Sequence, residues 1–201
     1  MKTRFEIGAV LATAFVLVAL GLVATQIVVI RQNRQLKQQL NAAIARANRS
    51  MEAPVGTTLR PLHGIDLDGN TKTIEYGRDR RRTLLLVFTP TCPWCAKNWP
   101  NWAAIVKSVD PAGVRIVAVD LSSTVTKEFA LEHELPVESV LYRPEPKDVR
   151  DYKLTLTPQT LLIDRNGVVE KVWTGLFDSE QQPEITSALS LSTVLPAVYR
   201  R

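Results

Sequence analysis

The chain of 201 residues has two cysteines, Cys92 and Cys95, separated by Pro93 and Trp94. They follow directly on an apolar run, Thr83 to Thr89, that is short, bounded by Pro90 and reads as a buried strand. Ala96 to Ser108 then carries a helical apolar pattern through Trp99, Trp102, Ile105 and Val106, interrupted by Pro100. A dithiol at a strand-to-helix junction suits thiol–disulfide exchange. Unpaired N–H groups and the positive end of the helix dipole would face the Cys92 sulfur and favour its thiolate. Pro93 suits the first helical turn, where a missing N–H costs nothing. Cys95, one turn on, can reach back and resolve a mixed disulfide. Cys92 is therefore the expected nucleophile and Cys95 the resolving thiol.

A zinc half-site is the other chemistry two close cysteines allow, but zinc takes about four ligands. The chain offers His63 and His133 besides the cysteines. His63 reads as part of a Leu62-His63-Gly64 turn and His133 as part of a charged helix, so both are expected to be ordinary surface or half-buried histidines. No metal or other cofactor is expected.

Ile7 to Ile30 contains no charged residue, and Gln26 is its one strongly polar side chain. At about 1.5 Å per residue such a run spans a hydrocarbon core of about 30 Å, and it is longer than the apolar region of about 7–15 residues in a cleaved signal peptide. An uncleaved membrane anchor over residues 1–30 is expected. Lys2 and Arg4 precede the span, whereas Arg31, Arg34, Lys37, Arg46 and Arg49 follow it, which on the positive-inside rule favours a cytoplasmic domain. Redox logic favours the opposite side, because disulfides persist in oxidising compartments. The expected placement is a single-pass protein of a bacterial inner membrane with an extracytoplasmic domain.

Residues 31–53 are rich in Gln, Arg, Asn and Ala, with Leu36, Leu40, Ala43 or Ile44, Ala47 and Met51 spaced by three and four. That narrow stripe predicts a helical stalk, with a weak homodimer through it as the sharper alternative. Residues 1–50 hold seven Lys or Arg against one Asp or Glu, and the remainder holds 18 against 19. The basic balance thus belongs to the membrane flanks, and a nucleic-acid partner is not implied. The run Arg78, Arg80, Arg81, Arg82 is expected to cap a solvated turn before the strand, with docking of an acidic partner as the alternative.

Residues 54–201 suffice for one domain. Strands are expected over Val114–Val119, Val140–Tyr142, Gln159–Ile163 and Val168–Trp173, and helices over Val125–Leu135, Lys147–Leu154 and Glu184–Leu191. Asn166-Gly167 is a hairpin signal between the last two strands. Alternating strands and helices that close in a hairpin predict an α/β sandwich around a mixed sheet.

Four pieces in order resemble the thioredoxin superfamily, in particular its membrane-anchored TlpA-like redoxins, a group that includes cytochrome c maturation thiol reductases. They are Val55-Gly56 leading to Leu67-Asp68-Gly69, the block Phe88 to Pro100, the run Thr157 to Asp164, and the Asn166-Gly167 hairpin with Gly175. The resemblance implies a thioredoxin-like fold after the transmembrane helix and stalk, and an oxidoreductase working on protein disulfides with an upstream thiol donor. It further implies that Pro158 is a cis-proline beside the dithiol, leaving the Thr157 backbone to bind an extended peptide as an added strand. Thr157, Pro158 and Trp94 are the expected substrate-contact residues.

The chain departs from that pattern at three places. Thr91 stands where such proteins often carry tryptophan, Leu86 where thioredoxins bury an aspartate, and Asn98 where cytochrome-maturation members have glutamate. A water, or a more distant acid such as Glu75 or Asp120, is left to take the Cys95 proton. Two other functions compete. A thiol peroxidase of the peroxiredoxin type is matched by Thr89 but not by Leu85, which occupies a proline position. A copper metallochaperone would need His133 as a third ligand. The span of potentials for such dithiols, about −270 to −120 mV, leaves the direction of electron flow open.

Overall fold

The computed structural model describes residues 20, 22, 24–44, 53–78 and 80–196. The chain divides into two compact units, Met1–Ala47 and Asn48–Arg201. In the first, residues 24–44 form one continuous helix, α1, so the end of the apolar run and the start of the stalk share a single element. Leu36, Leu40 and Ile44, the stripe positions that fall on it, are all exposed. Among the described residues no helix is long and apolar enough to cross a membrane. Residues 7–19, 21 and 23 of the expected span and residues 45–52 of the expected stalk lie outside the described residues.

The second unit is built on a five-stranded mixed sheet of order β5-β4-β3-β7-β8. β3 (Arg82–Phe88) lies at its centre, parallel to β4 (Val114–Asp120) and antiparallel to β7 (Gln159–Ile163). β5 (Val140–Leu141) extends the sheet beside β4, and β8 (Val169–Thr174) closes it beside β7. The continuous apolar run of β3 has a simple cause: a central strand covered on both faces has no solvent side. Alternate residues feed two cores. Leu84, Leu86 and Phe88 pack with Trp102, Ile105 and Ile185 on one face, and Leu85 and Val87 pack with Leu62, Tyr152 and Leu154 on the other.

Helices α2 (Pro93–Ser108) and α5 (Gln181–Leu189) supply the first core. α2 runs on through Pro100 in its interior, where proline ordinarily removes a backbone bond. Its buried face carries Trp99, Trp102 and Ile105. Trp102 is wholly buried, and its indole N–H donates to Thr160 Oγ1 on β7 at 3.0 Å. Two short helices complete the unit: α3 (Lys127–Glu132), capped by the Thr126 side chain, and α4 (Pro146–Asp151), with a 3-10 turn at Val137–Ser139.

A small second sheet of order β2-β1-β6 consists of β1 (Leu62–Ile65), β2 (Thr71–Ile74) and β6 (Arg143–Pro144). It corrects one expectation directly: His63 lies within β1, paired with Thr73, rather than in a turn. Leu62 is fully buried and anchors the strand, so the apolar–polar alternation outweighs the turn signal of Gly64. That glycine serves close packing instead, since a Cβ there would stand 2.5 Å from the carbonyl oxygen of Arg143 and 2.9 Å from Pro144 Cα. Three helices are shifted or shorter than their patterns. α3 and α4 end at Glu132 and Asp151, followed by positive φ at Glu134 and Lys153, and α5 ends before Ser190, also left-handed. Apolar periodicity continues past those points, but the backbone turns away.

Arg82, the last of the arginine run, begins β3 and donates to the Ala188 carbonyl at 2.8 Å, while Arg78 pairs with Glu75 at 2.7 Å. The final hairpin turns at Asp164–Gly167: Asp164 Oδ1 accepts from the backbone of Asn166 and Val168, and Gly167 takes a φ of 87°, which favours glycine.

Candidate active site

Parallel pairing makes β3 and β4 finish at the same end of the central sheet, with Phe88 opposite Asp120. β7 is antiparallel to β3, so it starts at that end, where Gln159 pairs with Val87. The loop leaving β3 and the segment entering β7 are therefore neighbours. The first carries the cysteines and the second carries Thr157 and Pro158, whose peptide bond is cis. The Pro158 carbonyl accepts from Gly175 N at 2.8 Å, which ties this segment to the end of β8.

Cys92 is the N-cap of α2, with φ −75° and ψ 115°. Its sulfur accepts from the backbone N–H of Cys95 at 3.2 Å, in the manner of a capping oxygen. Its thiol lies 3.6 Å from the Thr157 carbonyl, to which it donates. Pro93 occupies the first turn. Both thiols are free; Cys92 is partly exposed and Cys95 is 1% exposed.

The two sulfurs differ in acidity for a physical reason. Partial burial opposes ionisation of Cys92. The hydrogen bonds from Cys95, from Thr157 and from the backbone N–H groups of Cys95 and Trp94 together outweigh it and hold the thiol below its ordinary value. Deeper burial, reinforced by the neighbouring Cys92, pushes Cys95 up to about 12. One thiol is thus poised to ionise and the other is kept protonated.

Trp94 projects from the first turn of α2, 48% exposed, with Lys97 Nζ 4.6 Å from its ring centroid. Thr157, Pro158, Trp94 and Cys92 are all brought to this end of the sheet. The candidate carboxylates are not so placed. Glu75 follows β2, and its carbonyl accepts from Arg115 near the start of β4, at the opposite end from the cysteines. Asp120 lies at the right end but is wholly buried, and its two oxygens accept four bonds from Ser122, Thr124 and Val125. That carboxylate shapes the loop after β4. Leu86 is fully buried in the first core.

The sequence reading missed a buried amide chain beside Cys95. Asn98 is 0% exposed, and its Oδ1 accepts from Asn101 Nδ2 at 3.0 Å and from Phe177 N at 3.4 Å. Asn101 Oδ1 in turn accepts from Gln182 Nε2 at 3.3 Å. The available signal was the spacing of Cys95, Asn98, Trp102 and Ile105, which places two polar-capable residues on an otherwise apolar face.

Histidine does not join the dithiol. His133 donates through Nδ1–H to the Phe129 carbonyl, 3.0 Å away, and its ring lies 4.0 Å from that of Phe129 and 4.6 Å from that of Trp99. His63 Nδ1 lies 2.9 Å from Asp148 Oδ2. Among the described residues, the side chains grouped closely enough to hold a metal are His63, Glu145 and Asp148, and neither cysteine is one of them.

Residues 53–172 match the AhpC/TSA family, a stretch that holds every element from β1 to β7 together with both cysteines and Pro158. The chain belongs to the AhpC/TSA family. Within it, this protein is a thiol–disulfide oxidoreductase of the redoxin type. It is 27% identical over 126 residues to sporulation thiol-disulfide oxidoreductase A of Bacillus subtilis, covering 57% of this chain and 75% of that one. Solved structures share the fold. A peroxiredoxin-like protein from Aquifex aeolicus aligns with a TM-score of 0.52 at 17% identity, covering 69% of this chain and 87% of its own. A thiol:disulfide interchange protein of the thioredoxin family from Chlorobium tepidum TLS aligns with a TM-score of 0.51 at 18% identity, covering 69% and 98%.

Proposed function

We propose that this chain is a membrane-tethered oxidoreductase that exchanges its Cys92–Cys95 dithiol with disulfides of extracytoplasmic proteins and leaves those proteins reduced. The observation that carries the reading is the asymmetry of the pair: an N-capping, partly exposed Cys92 held below its ordinary pKa, and a buried Cys95 one turn behind it. Cys92 thiolate attacks one sulfur of the partner disulfide. A Cys92–partner disulfide forms, and the other partner sulfur leaves as a thiolate that takes a proton from water. Cys95 then loses its proton and attacks Cys92 Sγ, forming the intramolecular disulfide and releasing the second partner thiol. The partner gains two electrons and two protons, and an upstream thiol donor restores the dithiol.

Recognition in this reading uses the Thr157 backbone beside cis-Pro158, where an extended partner segment adds as a short strand, with exposed Trp94 covering its flank. The tether rests on the apolar run Ile7–Ile30, whose residues 24–30 open α1. The extracytoplasmic side is favoured because protein disulfides persist there. Cys95→Ser tests all of this together. In cells that variant is expected to accumulate its partner as a mixed disulfide on Cys92, visible on a non-reducing gel and released by reduction. An absence of any adduct on Cys92 would overturn the exchange mechanism, and an adduct confined to cytoplasmic proteins would overturn the placement.

A further inference from the structure

We propose that Asn98 supplies, through its side-chain NH2, the hydrogen-bond donor that stabilises the Cys95 thiolate while the mixed disulfide is being resolved. The inference rests on the dithiol reading above and gives a part to a residue that reading leaves idle. Asn98 is wholly buried, and its Nδ2 has no hydrogen-bond partner in the resting dithiol. Leaving such a donor unmade typically costs about 1–3 kcal/mol, so its presence in a packed core calls for a state in which it is used.

The orientation of the amide is fixed by its neighbours. One bond to Asn98 comes from the backbone nitrogen of Phe177, which can only donate, so the atom it meets is the oxygen. Asn101 Nδ2 reaches the same oxygen from the following turn. The NH2 branch is left to the other side. Asn98 follows Cys95 by three residues on α2, which puts the two side chains on one face, about 5–6 Å apart at Cβ. Helical side chains also lean toward the N-terminus, over the preceding turn. Here that turn holds Cys95.

The surroundings explain why a donor matters at this point. Cys95 is buried in the core that also holds Phe88, Trp99 and Phe177, where a negative charge has no bulk water to solvate it. The titratable group acting on its sulfur is Cys92, which forms part of a disulfide during resolution. The Thr89 backbone and the Thr157 side chain also bear on the sulfur, and neither titrates. An amide cannot remove the proton, which leaves to water. It contributes by meeting charge that exists only once Cys95 ionises, so its stabilisation is greater in the transition state than in the resting thiol.

The full-length chain, mixed with an aromatic disulfide whose thiolate absorbs on release, separates the two steps. The first release reports attack by Cys92 and the second reports resolution by Cys95. Asn98→Asp keeps an oxygen for Asn101 and Phe177 and replaces only the donor; Asn98→Leu removes the group entirely. In both variants the second phase is expected to slow by about tenfold or more, with the first phase within about twofold of the parent. The pH midpoint of the second phase is expected to move upward, which a purely structural role would not do. Should Asn98→Leu fail to fold, Asn98→Asp decides alone. A second phase within twofold of the parent, slowing with an unmoved pH midpoint, or acceleration by Asn98→Asp would each overturn the inference. Loss of the first phase in the parent would instead refute the Cys92 reading itself.

Discussion

The backbone N–H of Cys95 donates to the Cys92 sulfur at 3.2 Å, so the residue that buries one thiol also solvates the other. Beginning a helix on a cysteine gives that sulfur the unpaired N–H groups of the first turn, and placing the second cysteine one turn inward removes it from water. The difference in acidity needs no charged group beyond the two cysteines themselves.

Selective alkylation follows. Iodoacetamide at pH 7–8 is expected to modify Cys92 and leave Cys95 intact until the protein is denatured, as mass spectrometry of the peptides would report. The Cys92 rate should climb with pH through a midpoint below 9.0, the ordinary thiol value. Stability moves oppositely at the two sites. The lowered Cys92 value favours folding above about 9.0, a gain lost as pH falls through the folded value. The raised Cys95 value favours folding below 9.0, a gain lost as pH rises toward about 12. Equal labelling of both cysteines in the native protein would contradict the arrangement.

Thr160→Val should destabilise the domain by about 1–3 kcal/mol, because the substitution keeps the shape but leaves the buried Trp102 N–H without its acceptor. Urea unfolding followed by tryptophan emission measures this. The rate of Cys92 alkylation should be unchanged, since Thr160 points into the core with α2 and not at the sulfur.

Gly64→Ala should cost about 1–3 kcal/mol. The added Cβ would meet backbone atoms of Arg143 and Pro144, which cannot rotate aside. Two bonds across this contact, Tyr142 N to the Ile65 carbonyl and Glu145 N to the His63 carbonyl, both 2.8–2.9 Å, are the ones expected to lengthen. Faster hydrogen exchange at Tyr142 and Glu145 would register the change locally.

The dithiol, the central strands and the final hairpin were legible because their cues are local: a buried run, a helix start, an Asn-Gly turn. Cis-Pro158 was legible only through resemblance, since nothing in Thr157-Pro158 by itself selects the cis form. What escaped depends on contacts between distant segments. β6 is two residues long and includes a proline, and it exists because Gly64 lets β1 approach. His63 read as a turn because its strand is fixed by Leu62 burial and by Asp148, 85 residues away. Asn98 appeared as a missing carboxylate, whereas its bonds to Asn101 and Phe177 are set by how α2 packs against the segment after β8.

Hydrogen peroxide tests the dithiol reading against thiol peroxidase chemistry. A peroxide-reducing site must offer donors to the peroxide oxygens as well as to the attacking sulfur. Here the N–H groups of Cys95 and Trp94 and the Thr157 side chain act on the Cys92 sulfur itself. Leu85, seven residues earlier, is fully buried on the sheet face away from α2 and contributes nothing polar. Peroxide should therefore oxidise the pair no more than about tenfold faster than an ordinary thiolate of the same acidity, about 1.4 kcal/mol of barrier. Stopped-flow tryptophan emission can follow it, because Trp94 lies between the two sulfurs in sequence and Trp99 one turn beyond. An aromatic disulfide of equal concentration should oxidise the pair much faster. Rapid peroxide consumption that persists in Cys95→Ser would reverse the assignment, since a peroxidatic Cys92 does not need the buried thiol to break the O–O bond, whereas dithiol exchange cannot finish without it.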